Sequence, residues 1–281
     1  MGAIFEESTH VNPRSYDSVT REVTSLLNKL TMSNFESISD QLVVFVNKSE
    51  GEKDGRTLIL IVRLIFEKAI DEAEWSCMYA RLCQAMIKRI SPNVQQDGIQ
   101  DGDRNLITGG QLFQKYLLSR CHDKVDRGWD VKDAVVAITE TIEVKVATVT
   151  RDNSKRAHEL DTDEYYAMRK ARRHGLGVIK LIGELSKLDI FSELTFRKFF
   201  CKVVGEHSTD AQIESMCQLI TIIGQDLDGT RDRTWNDFHF LHMRILVNSQ
   251  KVQDRIRFAL QVLVSTWILP CRISMVVAGH H

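Results

Sequence analysis

Proline is scarce in this 281-residue chain, occurring only at Pro13, Pro92 and Pro270. Long windows are therefore free of the residue that breaks helices, and an all-α fold is expected. No pair of the six cysteines (Cys77, Cys83, Cys121, Cys201, Cys217, Cys271) has Cys-x-x-Cys spacing. That argues against a zinc site or disulfide framework, and for small buried thiols in a reducing compartment. The start, Met-Gly-Ala-Ile-Phe-Glu-Glu-Ser, lacks the basic residues and apolar run of a signal peptide, and it matches a myristoylation site poorly. Apolar runs such as Leu58–Val62 are far too short to cross a bilayer, so a cytoplasmic protein without a membrane partner is expected. Net charge is −1, so any polyanion surface must be a local patch.

Catalytic constellations are missing as well. No Gly-Lys-[Ser/Thr] follows the glycines between Gly98 and Gly110, which excludes a Walker loop. Asp101-Gly-Asp103-Arg-Asn105 looks like the opening of a calcium loop, but Leu106 and Leu112 stand where glycine and glutamate are required. Asp237-Phe-His239-Phe-Leu-His242 puts two imidazoles three apart on a helix, and no third ligand lies at a useful spacing. Neither a metal, a cofactor nor an enzymatic activity is expected.

What the sequence does hold is helical periodicity. Val19, Val23, Leu26, Leu27 and Leu30 mark a first helix beginning near Ser18, after a loose leader. Ser33 and Glu36 form a capping-box signature for a second helix carrying Phe35, Ile38, Leu42, Val43, Phe45 and Val46. Leu58, Ile61, Val62, Ile65, Phe66 and Ala69 define a third. Met78, Leu82, Ala85, Met86 and Ile90 define a fourth, stopped by Pro92. Gln95–Gly110 reads as an exposed loop. A helix resumes at Gln111 through Phe113, Tyr116, Leu117 and Leu118. Residues 126–160 include the β-branched run Asp133–Thr150, read as helix or loop because a lone strand has no partner. Helices follow at about 161–188, 190–204, 209–224, 231–247 and 251–265, with a second capping box at Thr209 and Gln212. About five antiparallel helix pairs suit an α-solenoid; a compact bundle is the alternative.

Charge is patterned too. One basic cluster comprises Arg169, Lys170, Arg172, Arg173 and His174, beside the apolar stripe Val178, Leu181, Ile182, Leu185 and Leu188. A second comprises Arg231, Arg233, Arg244, Lys251, Arg255 and Arg257. Such runs are usually solvated helix faces. They are also what a phosphate backbone or an acidic protein face requires.

Several stretches in register resemble one known family. They are Ser25-Leu-Leu-Asn-Lys-Leu-Thr31 with Phe35 and Ile38, Ile65-Phe-Glu-Lys-Ala69, Tyr79-Ala-Arg-Leu-Cys83, Gly175-Leu-Gly177 with Leu181–Leu188, Ile213–Cys217 and Arg255–Gln261. Together they are similar to the middle domain of eukaryotic translation initiation factor 4 gamma, a HEAT-repeat scaffold. The resemblance divides the chain into a flexible leader (1–17), a HEAT-repeat middle domain (18–261) and an atypical tail (262–281). It implies a non-enzymatic scaffold that binds the DEAD-box RNA helicase initiation factor 4A and RNA, with ribosome-bound initiation factor 3 as a further partner. Positions matching the helicase-contact motifs are Asn28, Lys29 and Phe35, then Arg255, Arg257 and Phe258; Leu26 and Leu27 match as well but suit the core equally. Charge alone nominates Arg172, Arg173 and Lys180 for RNA. An adaptor of the same fold acting in splicing, export or decay is the alternative function. Two departures from the family pattern stand out. The tail from Val262 is apolar where acidic and then basic residues are usual, which suggests a splice or reading-frame change near residue 262. A Tyr-x-x-x-x-Leu motif is absent (Tyr16 is followed five residues later by Arg21), so no cap-binding subunit is expected to bind this chain alone.

Overall fold

The computed structural model describes residues 13–128, 153–203, 210–227, 241–248 and 252–265. Their helices are α1 (Pro13–Lys29), α2 (Phe35–Asn47), α3 (Arg56–Asp71), α4 (Ser76–Arg89), α5 (Gly109–Gly128), α6 (Asn153–Lys187), α7 (Glu193–Val203) and α8 (Asp210–Leu227). The described part of α9 covers 241–247, and α10 is Asp254–Leu263. A short 3-10 turn, Ala73–Trp75, precedes α4. The β-branched run, the Thr209 cap, Asp237, His239 and the tail beyond residue 265 lie outside the described residues. The chain divides into two compact units: up to Lys68 with Leu82–Leu117, and Ala69–Arg81 with everything from Leu118 onward.

In the first unit, α1 begins at Pro13, five residues before the expected start. Proline suits this first helical position: its missing N–H would have no intrahelical partner there, and its φ is already helical. The expected capping box does not form. The α2 N-cap residue is Asn34, with no side-chain cap bond, and the Ser33 hydroxyl is paired with that of Thr31 at 2.9 Å. Asn34 staples the turn instead, accepting from the Thr31 N–H (2.7 Å) and donating to the Lys29 carbonyl (2.7 Å). An amide side chain can do both at once, which a serine hydroxyl already engaged elsewhere cannot.

Val23, Leu27, Ile38, Leu42, Val46, Leu58, Ile61, Ile65, Leu82, Met86, Leu112 and Phe113 bury their side chains as the first unit's core. Each stabilises by about 1.5–3 kcal/mol relative to exposure. The stretch expected to be a loop contains an antiparallel hairpin, β1 (Gln95–Gln100) with β2 (Leu106–Thr108). Its few apolar residues do not alternate, so periodicity offers no strand signal there. The pairing is held instead by the backbone, with a bridge between Asp54 and Gln96, and by a turn built on Asp101. That carboxylate accepts from the N–H groups of Asp103 (2.9 Å) and Asn105 (2.8 Å). Those bonds favour its charged form and lower its pKa.

In the second unit α6 starts eight residues earlier than expected and runs for 35 residues. It packs on α7 and α8, and α10 packs on α8. Val178, Leu181, Ile182 and Leu185 are buried as the periodicity predicts, whereas Leu188 is only half-buried. Ile179 of α6 joins Phe196, Phe200, Ile213, Met216, Ile220, Ile223, Ile256, Leu260 and Leu263 in one core cluster. Close approach depends on two glycines. A Cβ at Gly177 would stand 2.2 Å from the Ile70 carbonyl oxygen, and one at Gly183 would stand 3.0 Å from Ile222. Gly175, two residues before Gly177, faces open space.

Candidate partner-binding surfaces

The predicted contact residues fall in both units. In the first, Asn28 and Lys29 are exposed at the end of α1 and border a shallow depression with Thr20, Arg21, Thr24 and Ser25. Phe35, the first residue of α2, is only 7% exposed. Its ring is buried in the core rather than offered to solvent. Leu27 is likewise buried.

In the second unit, α6, α8 and α10 enclose a groove of about 580 Å³. Ile222, Ile256, Leu263 and Cys217 line it, and Lys180, Glu214 and Arg255 also border it. Phe258 is 66% exposed on α10, with Val262 one turn further along the same face. Sequence reasoning nominated Arg255, Phe258 and, for RNA, Lys180, and missed the groove that their helices form. The spacing of Val262 four residues after Phe258 was the available signal. Burial and the neighbouring Glu214 push the Cys217 thiol up to about 12, so it is a packing group here. Cys77 and Cys201, expected to be buried thiols, are exposed.

The three cations nominated around this groove are all engaged. Arg255 is paired with Glu214 at 2.7 Å. Arg257 donates to Asp254 (2.9 Å) and to the Val252 carbonyl (2.9 Å), tying down the first turn of its own helix. Lys180 is paired with Glu74 at 2.8 Å, and that bond lowers the Glu74 pKa.

Two turns earlier on α6 the electrostatics differ. His174 is half-buried with Nε2 2.6 Å from Asp71, a contact close enough for an ion pair but not oriented as a hydrogen bond. Burial lowers its pKa, Asp71 opposes that, and the charges of Lys170, Lys124 and Arg173 lower it further. The ring is therefore neutral at pH 7. Lys124, Lys170 and Arg173 are exposed, and none is in an ion pair among the described residues. The Arg172 side chain lies outside the described residues. Half-buried His242 has an unpartnered Nε2, but no group of three His, Cys, Asp or Glu among the described residues is arranged to hold a metal.

Among the described residues these surfaces are helix faces with charged rims. The MIF4G domain model matches residues 20–266. The chain belongs to the MIF4G domain family. That membership makes its architecture an all-α, HEAT-type helical solenoid. The chain is 34% identical over 245 residues to eukaryotic translation initiation factor 4 gamma of Schizosaccharomyces pombe, covering 86% of this chain and 16% of that protein. It is 31% identical over 256 residues to eukaryotic initiation factor 4F subunit p150 of Saccharomyces cerevisiae (87% and 25%), and 32% identical over 244 residues to eukaryotic translation initiation factor 4 gamma 3 of Homo sapiens (87% and 14%). This MIF4G chain thus spans a quarter or less of the length of these relatives. A solved MIF4G domain of a Trypanosoma cruzi translation initiation factor aligns over 94% of this chain and 99% of its own at a TM-score of 0.49 and 13% identity, too loose a likeness to constrain the surfaces above. No helix among the described residues is long and apolar enough to cross a membrane.

Proposed function

We propose that this MIF4G domain is a translation initiation scaffold that binds the DEAD-box RNA helicase initiation factor 4A and RNA, promoting recruitment of mRNA to the small ribosomal subunit. The observation that carries this reading is the family match over residues 20–266, with relatives named as initiation factors at 31–34% identity. The geometry is consistent with it. Residues at the motif positions border a depression or groove in each unit: Asn28 and Lys29 in the first, Arg255 and Phe258 in the second. Arg257 shapes the α10 end that presents them, and Arg173 offers an exposed cation to RNA. A scaffold contacting both lobes of a two-lobed ATPase acts by differential affinity: it shifts the lobes toward the spacing it binds better, by no more than that difference. The scaffold itself needs no catalytic group for this.

The test is a pulldown of purified helicase initiation factor 4A with this chain, together with the helicase's RNA-dependent ATPase rate. Binding and a raised rate are expected, and both should weaken with Arg255→Glu. Absence of both binding and stimulation removes this reading.

A further inference from the structure

The exposed cations near His174 share their helix face with an aromatic ring. Tyr166 on α6 is 62% exposed. It precedes Lys170 by four residues and Arg173 by seven, so the three lie within one narrow stripe of the helix. Lys124 on α5 is exposed and lies within electrostatic range of His174, as Lys170 and Arg173 do. Asp71, the carboxylate facing this region from α3, is already in contact with the His174 ring. The site is fixed in space because Gly177 seats α6 directly against the Ile70 backbone.

We infer that Tyr166, Lys124, Lys170 and Arg173 form a binding surface for single-stranded RNA, with the Tyr166 ring stacking one base and the three cations contacting the flanking phosphates. This rests on the RNA-binding reading above and locates it: Lys124, Lys170 and Tyr166 join Arg173, and Lys180 leaves the set. Lys180 sits two turns further along, half-buried and neutralised by Glu74. Cations alone would serve an acidic peptide equally well. An exposed aromatic ring in line with them is the arrangement single-stranded nucleic acid uses, because every base offers a face to stack while its backbone follows the positive charge. Stacking of this kind is tolerant of sequence, so the surface should prefer single strands over duplexes without reading a particular base.

Binding of the full chain to a labelled oligoadenylate on the order of ten nucleotides long, followed by anisotropy across a salt series, tests this. Tyr166→Ala should weaken binding roughly ten-fold, and Tyr166→Phe should stay near wild type, since the ring and not the hydroxyl is needed. Lys124→Gln with Lys170→Gln should reduce the slope of log affinity against log salt by about 0.7 for each phosphate no longer engaged. Lys180→Gln should leave that slope in place. Thermal melts of each variant confirm that it folds, and the Phe variant keeps the stacking claim testable if the Ala variant does not. An RNA-binding chain indifferent to Tyr166→Ala, or to the paired lysine change, overturns this inference while leaving the broader reading intact. Polyglutamate of equal length binding as tightly as RNA would reassign the surface to an acidic protein. A chain that binds no RNA removes both.

Discussion

The two groups of cations on the second unit look alike in sequence and differ in what holds them. Around the groove, Lys180, Arg255 and Arg257 each meet a carboxylate at 2.7–2.9 Å. Around His174, Lys124, Lys170 and Arg173 meet none among the described residues. A paired exposed cation contributes little net field and a modest stability increment of about 0–1 kcal/mol. An unpaired one keeps its field for a ligand. The difference teaches that a basic run in sequence is a surface only where the fold withholds its counter-ions. At the groove, the apolar wall and Phe258 are the features offered to a partner, with the charges setting orientation.

The largest test of this comparison attacks the frame that both groups share. Gly177→Ala would drive a methyl group into the Ile70 carbonyl, 2.2 Å from its ideal position, and separate α6 from the end of α3. A loss of about 1–3 kcal/mol is expected, read as a fall in Tm, because backbone cannot swing aside as a side chain can. Gly175→Ala, two residues away in open space, should be neutral or slightly stabilising. Equal effects at the two glycines would refute the close-packing assignment.

Next in size is the contrast within the groove pair. Arg257→Ala removes two hydrogen bonds that secure the start of α10, one of them to a backbone carbonyl, and should lower stability by about 1 kcal/mol in chemical denaturation. Arg255→Ala breaks only an exposed pair with Glu214 and should cost a few tenths of a kcal/mol at most. Helicase affinity should show the reverse order. A variant pair with the same ranking in both measurements would erase the distinction between an anchoring and a presenting arginine.

The smallest effect concerns pH. His174 and His122 hold protons less readily than imidazole in the unfolded chain, chiefly because each is partly buried. Below the ordinary value of 6.5 the unfolded chain therefore binds more protons than the folded one. Stability that is complete above that pH is lost as pH falls through the lower folded-state values. Melts at pH 7.5 and 5.5 should show the loss, and His174→Gln should shrink it. Among the described residues no histidine lines the groove, so changes there should leave the pH dependence unaltered.

How much of this was legible beforehand depends on whether a property is local. The buried face of α3 was readable residue by residue, because a helix repeating every 3.6 residues writes its core stripe into the sequence. So were the six family motifs, which the match over 20–266 bears out. The hairpin after Pro92 was not, since Gln95–Thr108 is paired through its backbone, which carries no side-chain signature. Nor was the turn before α2, where Ser33 and Glu36 signalled a cap that Asn34 pre-empted by bonding in both directions. Phe35 was matched to a contact motif, and only the structure shows that it is 7% exposed.

By itself, then, the sequence determined the helical class, the family and the identity of most core residues, all consequences of periodicity and local propensity within single segments. The tertiary structure alone decided which cations are neutralised among the described residues, and that Phe258 borders a groove. Those are pairings between residues as far apart as Glu74 and Lys180. Coulomb energy and burial depend on distance in space, which a linear pattern does not encode until the helices have packed.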